Sequence, residues 1–138
     1  MGNSDQRPRV ELASLGMGSS IEHLTILTIS LRYREKTETA EATGTETKPL
    51  LFDLARGLFD RLLPGMLTPT IELASCTTSF GTFNRPQAGY RVQVQLIRPG
   101  VVTRPGNGSG PSELEAYVAA LIEALNNAVP NGVRETRV

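Results

Sequence analysis

The residues with the most obvious chemical potential are the single cysteine, Cys76, the single histidine, His23, and the serines Ser14 and Ser75. A serine or cysteine nucleophile needs a general base within hydrogen-bond reach. His23 is the only imidazole, it lies in the other half of the chain from Cys76, and no oxyanion or third-residue signature accompanies the pair. One histidine and one cysteine also cannot make a four-ligand zinc site within one chain. These residues favour a non-catalytic role over an enzyme, and we expect no cofactor and no metal.

A glycine-rich segment, Gly106–Gly110, precedes a predicted helix, and helix N-termini bind anions. The spacing and the Lys-Ser/Thr pair of a phosphate-binding P-loop are absent. A dinucleotide-binding fingerprint would require a short turn directly from a strand. We therefore interpret this segment as a flexible loop.

Two carboxylates, Asp53 and Asp60, are seven residues apart on another predicted helix and so share one face of it. Asp60 can pair with Arg56 at i, i+4. Both carboxylates are expected to face solvent, which argues against general acid–base work.

Strict alternation of apolar and polar residues predicts two half-buried strands, Thr25–Tyr33 and Tyr90–Ile97. The side opposite the core carries a polar face composed of Thr28, Ser30, Arg32, Arg91, Gln93 and Gln95, together with Glu11 and Glu72 from two shorter strands. Arg and Glu on neighbouring strands can form cross-strand pairs. We consider this face either an interaction surface or the solvated side of an antiparallel sheet. A third alternative, a nucleic-acid-binding sheet, is disfavoured because the face has no aromatic side chain on which a base could stack.

The chain contains an internal duplication. Arg9–Ser14 and Thr70–Ser75 have nearly the same sequence, 61 positions apart, and both are predicted to be short strands. Each is followed by an alternating strand, a polar segment and an amphipathic helix that ends at a proline, Pro64 or Pro130, 66 positions apart. The conserved order of elements predicts two strand–strand–helix units. A glycine and serine turn, Gly16–Ser20, is predicted after the first short strand.

The two helices are predicted from apolar stripes. The first runs from about Leu50 to Leu63, with Pro49 suited to its start. The second is opened by Ser112 and Glu115, which have the spacing of a capping box. The predicted buried stripes comprise Leu51, Leu54, Ala55, Leu58 and Leu62 in the first helix, and Leu114, Tyr117, Val118, Leu121, Leu125 and Ala128 in the second, with Ile122 off the stripe.

These elements predict an α+β fold. We expect a two-layer sandwich in which duplicated strand–strand–helix units form an antiparallel-rich sheet with two helices on one face, a permuted version of the ferredoxin-like plan. Residues 9–133 would form one domain, made of the repeats 9–65 and 70–132. Residues 1–8 and 134–138 would be tails.

The composition is that of a folded protein with no strong global field. Of 138 residues, 39% are hydrophobic and 20% charged, and the net charge is zero. Such a chain has no overall charge to steer it to nucleic acid. It also has no apolar run long enough to span a bilayer and no secretory signal in Met1–Val10, so we predict a cytoplasmic location, or a particle assembled in the cytoplasm.

The leading hypothesis from the sequence is a non-catalytic, self-associating assembly or interaction subunit, for example of a phage-tail, capsid-like or secretion-type particle. An open sheet has unpaired edges that must be covered, shortened or paired with another chain. The partners would be further copies of the chain or other protein subunits. The alternative is a protein or enzyme that binds a small anion through two long polar loops, 34–47 and 98–111. The candidate interaction or ligand-binding residues are Arg32, Arg34, Arg91, Gln93, Gln95, Arg98 and Arg104.

Overall fold

The computed structural model describes residues 9–20, 22–65, 71–82, 87–98 and 101–129, of which 101–102 are described by their backbone alone. These residues form seven strands and two helices. In chain order they are β1 (Glu11–Ser19), β2 (Thr25–Tyr33), β3 (Lys36–Gly44), α1 (Thr47–Leu62), β4 (Glu72–Gly81), β5 (Gly89–Arg98), β6 (Val101–Val102), β7 (Gly106–Gly110) and α2 (Glu113–Ala128).

All recorded strand pairings are antiparallel, and they form one sheet in each unit. The first sheet has the order β1-β2-β3. In the second sheet β4 lies on one side of β5, while β6 and β7 follow each other along the other side. Each helix packs on its own sheet, α1 against β2 and β3 and α2 against β5 and β7. The predicted α+β class and the layered arrangement of sheet and helix are confirmed.

The prediction of long polar loops at 34–47 and 98–111 was wrong. β3 fills most of the first segment, joined to β2 by the two residues Arg34 and Glu35. β6 and β7 occupy the second segment, of which residues 99–100 lie outside the described part. Both segments lack the large apolar residues that mark a half-buried strand, since small residues face the helices there. The units are therefore strand–strand–strand–helix, with the third strand split in the second copy.

The β1–β2 pair of the first unit and the β4–β5 pair of the second have equivalent registers, which strongly supports the duplication. Leu12 of β1 lies opposite Leu31 of β2, and Leu73 of β4 lies opposite Leu96 of β5. In both pairs the register shifts at the next residue, Ala13 in β1 and Ala74 in β4. A β-bulge inserts one extra residue in one strand and re-aims the side chains beyond it. The predicted turn at 16–20 is absent because β1 continues to Ser19.

A single apolar cluster joins the two units. Its largest fully buried members come from β2, β5, both helices and the residues just before β1 and β4, namely Leu27, Ile29, Leu31, Leu51, Leu58, Phe59, Leu96, Tyr117, Leu121, Leu125, Val10 and Ile71. Ile122, predicted to lie off the stripe of α2, is also buried. α2 begins as predicted, because the Ser112 Oγ accepts a hydrogen bond from the Glu115 backbone N–H at 3.2 Å.

A buried amide connects α2 to the beginning of the first unit. The Oδ1 atom of Asn126 accepts a hydrogen bond from the backbone N–H of Val10 at 2.8 Å, and its Nδ2 donates to the Val10 carbonyl at 2.9 Å. Asn126 is only 3% exposed. Both polar groups of the amide are thus satisfied, which is the condition for placing an asparagine in an apolar core.

The glycines of β7 permit direct contact between the strand and the backbone of α2. A Cβ atom at Gly106 would lie 2.2 Å from the carbonyl oxygen of Ala120, and one at Gly108 would lie 2.4 Å from that of Ala116. Side chains larger than hydrogen cannot be accommodated there without moving the helix. The glycine-rich segment is therefore a packed strand, and the prediction of a flexible loop was wrong.

Candidate functional site

The sheets differ in how their outer strands are protected. β3 carries Lys36, Glu38 and Glu41 along its length, and charged residues on an outer strand discourage pairing with another chain. β6 is two residues long, and β7 lies against α2. The remaining outer strands, β1 and β4, have none of these three protections among the described residues.

β1 is exposed on both faces along most of its length, and only Leu15 is half-buried against the core. Residues directly opposite each other in an antiparallel pair point to the same side of the sheet. Leu12, Leu15 and Met17 lie opposite Leu31, Ile29 and Leu27 of β2, and therefore point to the helix-bearing side. Yet Leu12 is 40% exposed and Met17 61% exposed, because α1 packs on β2 and β3. We call these three side chains the β1 apolar row.

β4 repeats this arrangement. Leu73, Cys76 and Phe80 lie opposite Leu96, Val94 and Tyr90 of β5, again on the helix-bearing side. Phe80 is 61% exposed although its ring contacts that of Tyr90, with centroids 4.7 Å apart. We call Leu73, Cys76 and Phe80 the β4 apolar row.

Neither strand contains a charged residue or a proline after its first position. Glu11 begins β1 and Glu72 begins β4; the remaining residues of both strands are apolar, hydroxylated, cysteine or glycine. Strands of nine and ten residues without a central charge are long, unprotected edges. The predicted cross-strand pair is present at the start of β1, where Arg32 contacts Glu11 at 3.1 Å, and both side chains are exposed.

The polar face of the second sheet forms an open groove of about 650 Å³. Two cross-strand rows of polar side chains line it, Thr77–Gln93–Asn107 and Ser79–Arg91–Ser109. The Gln93 Nε2 donates to the Asn107 Oδ1 at 3.2 Å. The corresponding rows of the first sheet are Gly16–Thr28–Glu41 and Gly18–Ile26–Thr43. An arginine, Arg91, therefore lies in these rows of the second sheet, whereas the corresponding rows of the first sheet contain none.

The structure brings together Arg91 and Gln93 from the predicted site residues, but it gives the others separate surroundings. Gln95 is half-buried and donates to the carbonyls of Thr103 and Leu96. Arg32 pairs with Glu11 on the first sheet, and Arg34 lies in the turn after β2 with its guanidinium over the Tyr33 ring. Arg104 donates to Asn127 at 3.3 Å. Arg98 ends β5, where its Nε is buried without a hydrogen-bond partner among the described residues.

The polar face is less uniformly exposed to solvent than the sequence predicts. Ser30 is 8% exposed, and its hydroxyl is 2.7 Å from that of Thr39 on β3. The third strand, absent from the predicted plan, covers it. No aromatic side chain lies on this face among the described residues of the two sheets.

The N-termini of the two helices meet where the units join. Lys48 near the start of α1 pairs with Glu113 at the start of α2 at 3.2 Å, and the Thr78 hydroxyl donates to the same carboxylate at 3.3 Å. The Tyr117 hydroxyl donates to the Lys48 carbonyl at 2.9 Å. Burial raises the pKa of Tyr117 well above its ordinary value, with smaller contributions from Cys76 and Asp53. This tyrosine is therefore a neutral donor that holds the two units together.

The candidate nucleophiles have no catalytic surroundings in the described part of the chain. Cys76 is half-buried in the β4 apolar row, whereas His23 lies in the connection from β1 to β2 with a φ of 65°. Among the described residues, no group of three His, Cys, Asp or Glu side chains is placed to hold a metal ion. Neither described helix is long and apolar enough to cross a membrane.

Sequence reasoning anticipated open sheet edges but not which strands would form them. The signal was present, since no charged residue occurs between Glu11 and Glu22 or between Glu72 and Arg85. The predicted turn at 16–20 includes Met17, and the predicted short strand at 70–75 ends before Phe80. Because both strands were predicted to end early, their apolar rows were not recognised.

The chain matches no protein-family model and no curated protein. The function must therefore be inferred from the geometry and chemistry of the strands themselves.

Proposed function

We propose that the protein is a non-catalytic subunit that self-associates through the exposed edges β1 and β4, in the cytoplasm or in a particle assembled there. The observation that carries the proposal is the pair of long edge strands with no charge after the first residue, each with an apolar row that the helices cover only in part, leaving Leu12, Met17 and Phe80 exposed. A phage-tail, capsid-like or secretion-type particle would use such a subunit.

Two physical terms favour pairing at these edges. An edge strand presents unpaired backbone N–H and C=O groups that a second strand can satisfy. The apolar rows add a hydrophobic term, since Met17 and Phe80 lose contact with water when another strand lies beside them. The zero net charge of the chain adds no overall repulsion between copies.

The proposal is tested by measuring the mass in solution across a wide range of protein concentrations, by sedimentation velocity or light scattering. We expect a mass above the 14.9 kDa of one chain, falling towards that value on dilution. A mass of 14.9 kDa at every concentration up to several hundred micromolar would overturn the proposal.

Lysine substitutions locate the contact. Met17→Lys in β1 and Thr78→Lys in β4 together should give a monomer with a native circular dichroism spectrum, because each lysine would have to lose its hydration in the contact. Both positions are exposed. The matched control is Thr43→Lys, at an exposed position on the outer strand β3, which should keep the wild-type mass.

A second candidate function, binding of a small carboxylate or phosphate, is favoured by the groove on the second sheet. Arg91 lies in it between Ser79 and Ser109, and Gln93 and Asn107 occupy the next row. Guanidinium, hydroxyl and amide groups are the donors that such anions accept from. A thermal-shift screen with inorganic phosphate and small carboxylates tests it. Stabilisation that Arg91→Gln abolishes would support the site, and no stabilisation by any anion would exclude it.

A further inference from the structure

We infer that the junction between copies is heterologous: β1 of one copy pairs antiparallel with β4 of a second copy. This inference rests on the proposed self-association and adds the partner strand for each edge. It also fixes the number of neighbours at two, because every copy pairs once through β1 and once through β4.

The two edges have the same local construction. Both begin with Glu-Leu-Ala-Ser and both bulge at the alanine, Ala13 or Ala74. An antiparallel pair of β1 and β4 places the two bulges at opposite ends of the junction. The regular stretches, Ser14–Ser19 and Ser75–Gly81, then lie side by side without a bulge between them. A register free of bulges keeps the hydrogen-bond ladder continuous, so β4 can pair with β1 as regularly as a second β1 could.

Glycine is distributed differently on the two edges. On its polar side β1 presents Gly16 and Gly18, while β4 presents Thr77 and Ser79 at the corresponding places. Cross-strand side-chain pairs are the unit of sheet stabilisation, and glycine supplies none. Pairing β1 with another β1 would set glycines beside glycine or serine. Pairing β1 with β4 sets each glycine beside serine or threonine, so that no glycine lies opposite another glycine.

A heterologous junction covers the exposed side chains of both apolar rows. A contact between two β4 strands would leave both β1 apolar rows uncovered, and a contact between two β1 strands would leave both β4 rows uncovered. One heterologous junction covers both rows with a single kind of contact. Heterologous contacts repeat from copy to copy and generate rings when the rotation closes or filaments when it does not. The expected assembly is therefore larger than an isologous dimer.

The test is a mixing experiment with the two single variants, Met17→Lys and Thr78→Lys. Met17→Lys keeps an intact β4, and Thr78→Lys keeps an intact β1. Each variant alone should have the mass of one chain, 14.9 kDa. An equimolar mixture should have twice that mass, because one intact β1 meets one intact β4. Sedimentation velocity measures the masses, and circular dichroism checks that each variant is folded.

Failure of the heterologous junction can be distinguished from failure of self-association. A wild-type protein that is monomeric at all concentrations refutes self-association itself. A wild-type oligomer combined with dimers of each single variant refutes only the heterologous junction, since it shows like strands pairing with like. An oligomeric wild type with a monomeric mixture also refutes it. If either variant fails to fold, Ser19→Lys and Phe80→Lys provide a second pair at matching positions of the two strands.

Discussion

Gly108 of β7 lies directly beneath α2, and replacing it with alanine tests the close packing of these two elements. The added Cβ would lie 2.4 Å from the carbonyl oxygen of Ala116 and 2.4 Å from the backbone nitrogen of Ala120. It would also lie 2.8 Å from the Cβ of Ala119. Cβ atoms essentially never approach other heavy atoms within 3.0 Å. Two of the three contacts are backbone atoms of a helix, so no side-chain rotation can relieve them.

The size of the effect follows from the movement that α2 would need. Restoring van der Waals separation requires a shift of roughly 1 Å. That shift would loosen contacts of the buried stripe of α2, including Leu121 and Leu125. Overpacking of this kind costs about 1–3 kcal/mol, and we expect the upper end because the clash is with backbone. A loss of about 3 kcal/mol corresponds to a fall in Tm of roughly 10 °C.

Urea unfolding followed by circular dichroism at one fixed protein concentration measures this loss. The control is Gly57→Ala in α1, where an added Cβ meets nothing within 4 Å. An exposed helical glycine replaced by alanine should raise the free energy of unfolding by about 0.5–1 kcal/mol. The two glycines should therefore respond with opposite signs. If Gly108→Ala changed the free energy of unfolding by less than about 0.5 kcal/mol, β7 would not be packed against the helix backbone.

Three further substitutions test other parts of the structure. Asn126→Ala should lower the free energy of unfolding by about 2 kcal/mol in the same urea assay, because both backbone polar groups of Val10 lose their partner; an unchanged value would show that water replaces the amide. Tyr117→Phe should cost about 1 kcal/mol at neutral pH, measured likewise. Because the pKa of Tyr117 is higher in the folded than in the unfolded chain, the unfolded chain loses the tyrosine proton first as the pH rises. The free energy of unfolding of the wild type should therefore fall above about pH 10, and that of Tyr117→Phe should fall less steeply. Parallel pH profiles of the two proteins would contradict this. The double variant Arg91→Glu with Gln93→Glu should keep the native circular dichroism spectrum and the wild-type solution mass, whereas dispersal of the oligomer would relocate the contact to the groove.

The central strands and the helices were predictable because burial imposes a period on the sequence. Thr25–Tyr33 alternates strictly, and the observed strand β2 has the predicted bounds. β5 extends the predicted Tyr90–Ile97 by one residue at each end. α1 begins at Thr47 instead of about Leu50, so Pro49 lies inside its first turn, where a missing N–H has no intrahelical partner to lose.

The third strand of each unit could not be read from hydrophobic periodicity. The residues of β3 that point towards α1 include Ala40, Ala42 and Gly44, and those of β7 that point towards α2 are Gly106, Gly108 and Gly110. Small residues let a helix approach closely but give no apolar signal. Glycines in alternate positions of a segment can mark a strand that lies against another backbone.

The types of residue in the candidate site were predictable from the sequence, whereas their positions were predictable only in part. Alternation put Arg91 and Gln93 on the polar face, and the strand register brings them into one groove. The alternative anion site, predicted from Arg34, Arg98 and Arg104, placed these residues on two long polar loops, but strands occupy most of both segments. The apolar rows of β1 and β4 were missed because exposure of an apolar residue depends on which strands a helix covers. That is a tertiary property.

Hydrogen–deuterium exchange of the backbone amides in β1 and β4, at high and at low protein concentration, tests the self-association most directly. In an outer strand, alternate amides point away from the neighbouring strand and exchange quickly unless another chain pairs with them. The account predicts that these amides in both strands are protected at high concentration and lose that protection on dilution, while β3 does not change. Exchange in β1 and β4 that is equally fast at both concentrations would contradict the proposal that these edges join the copies.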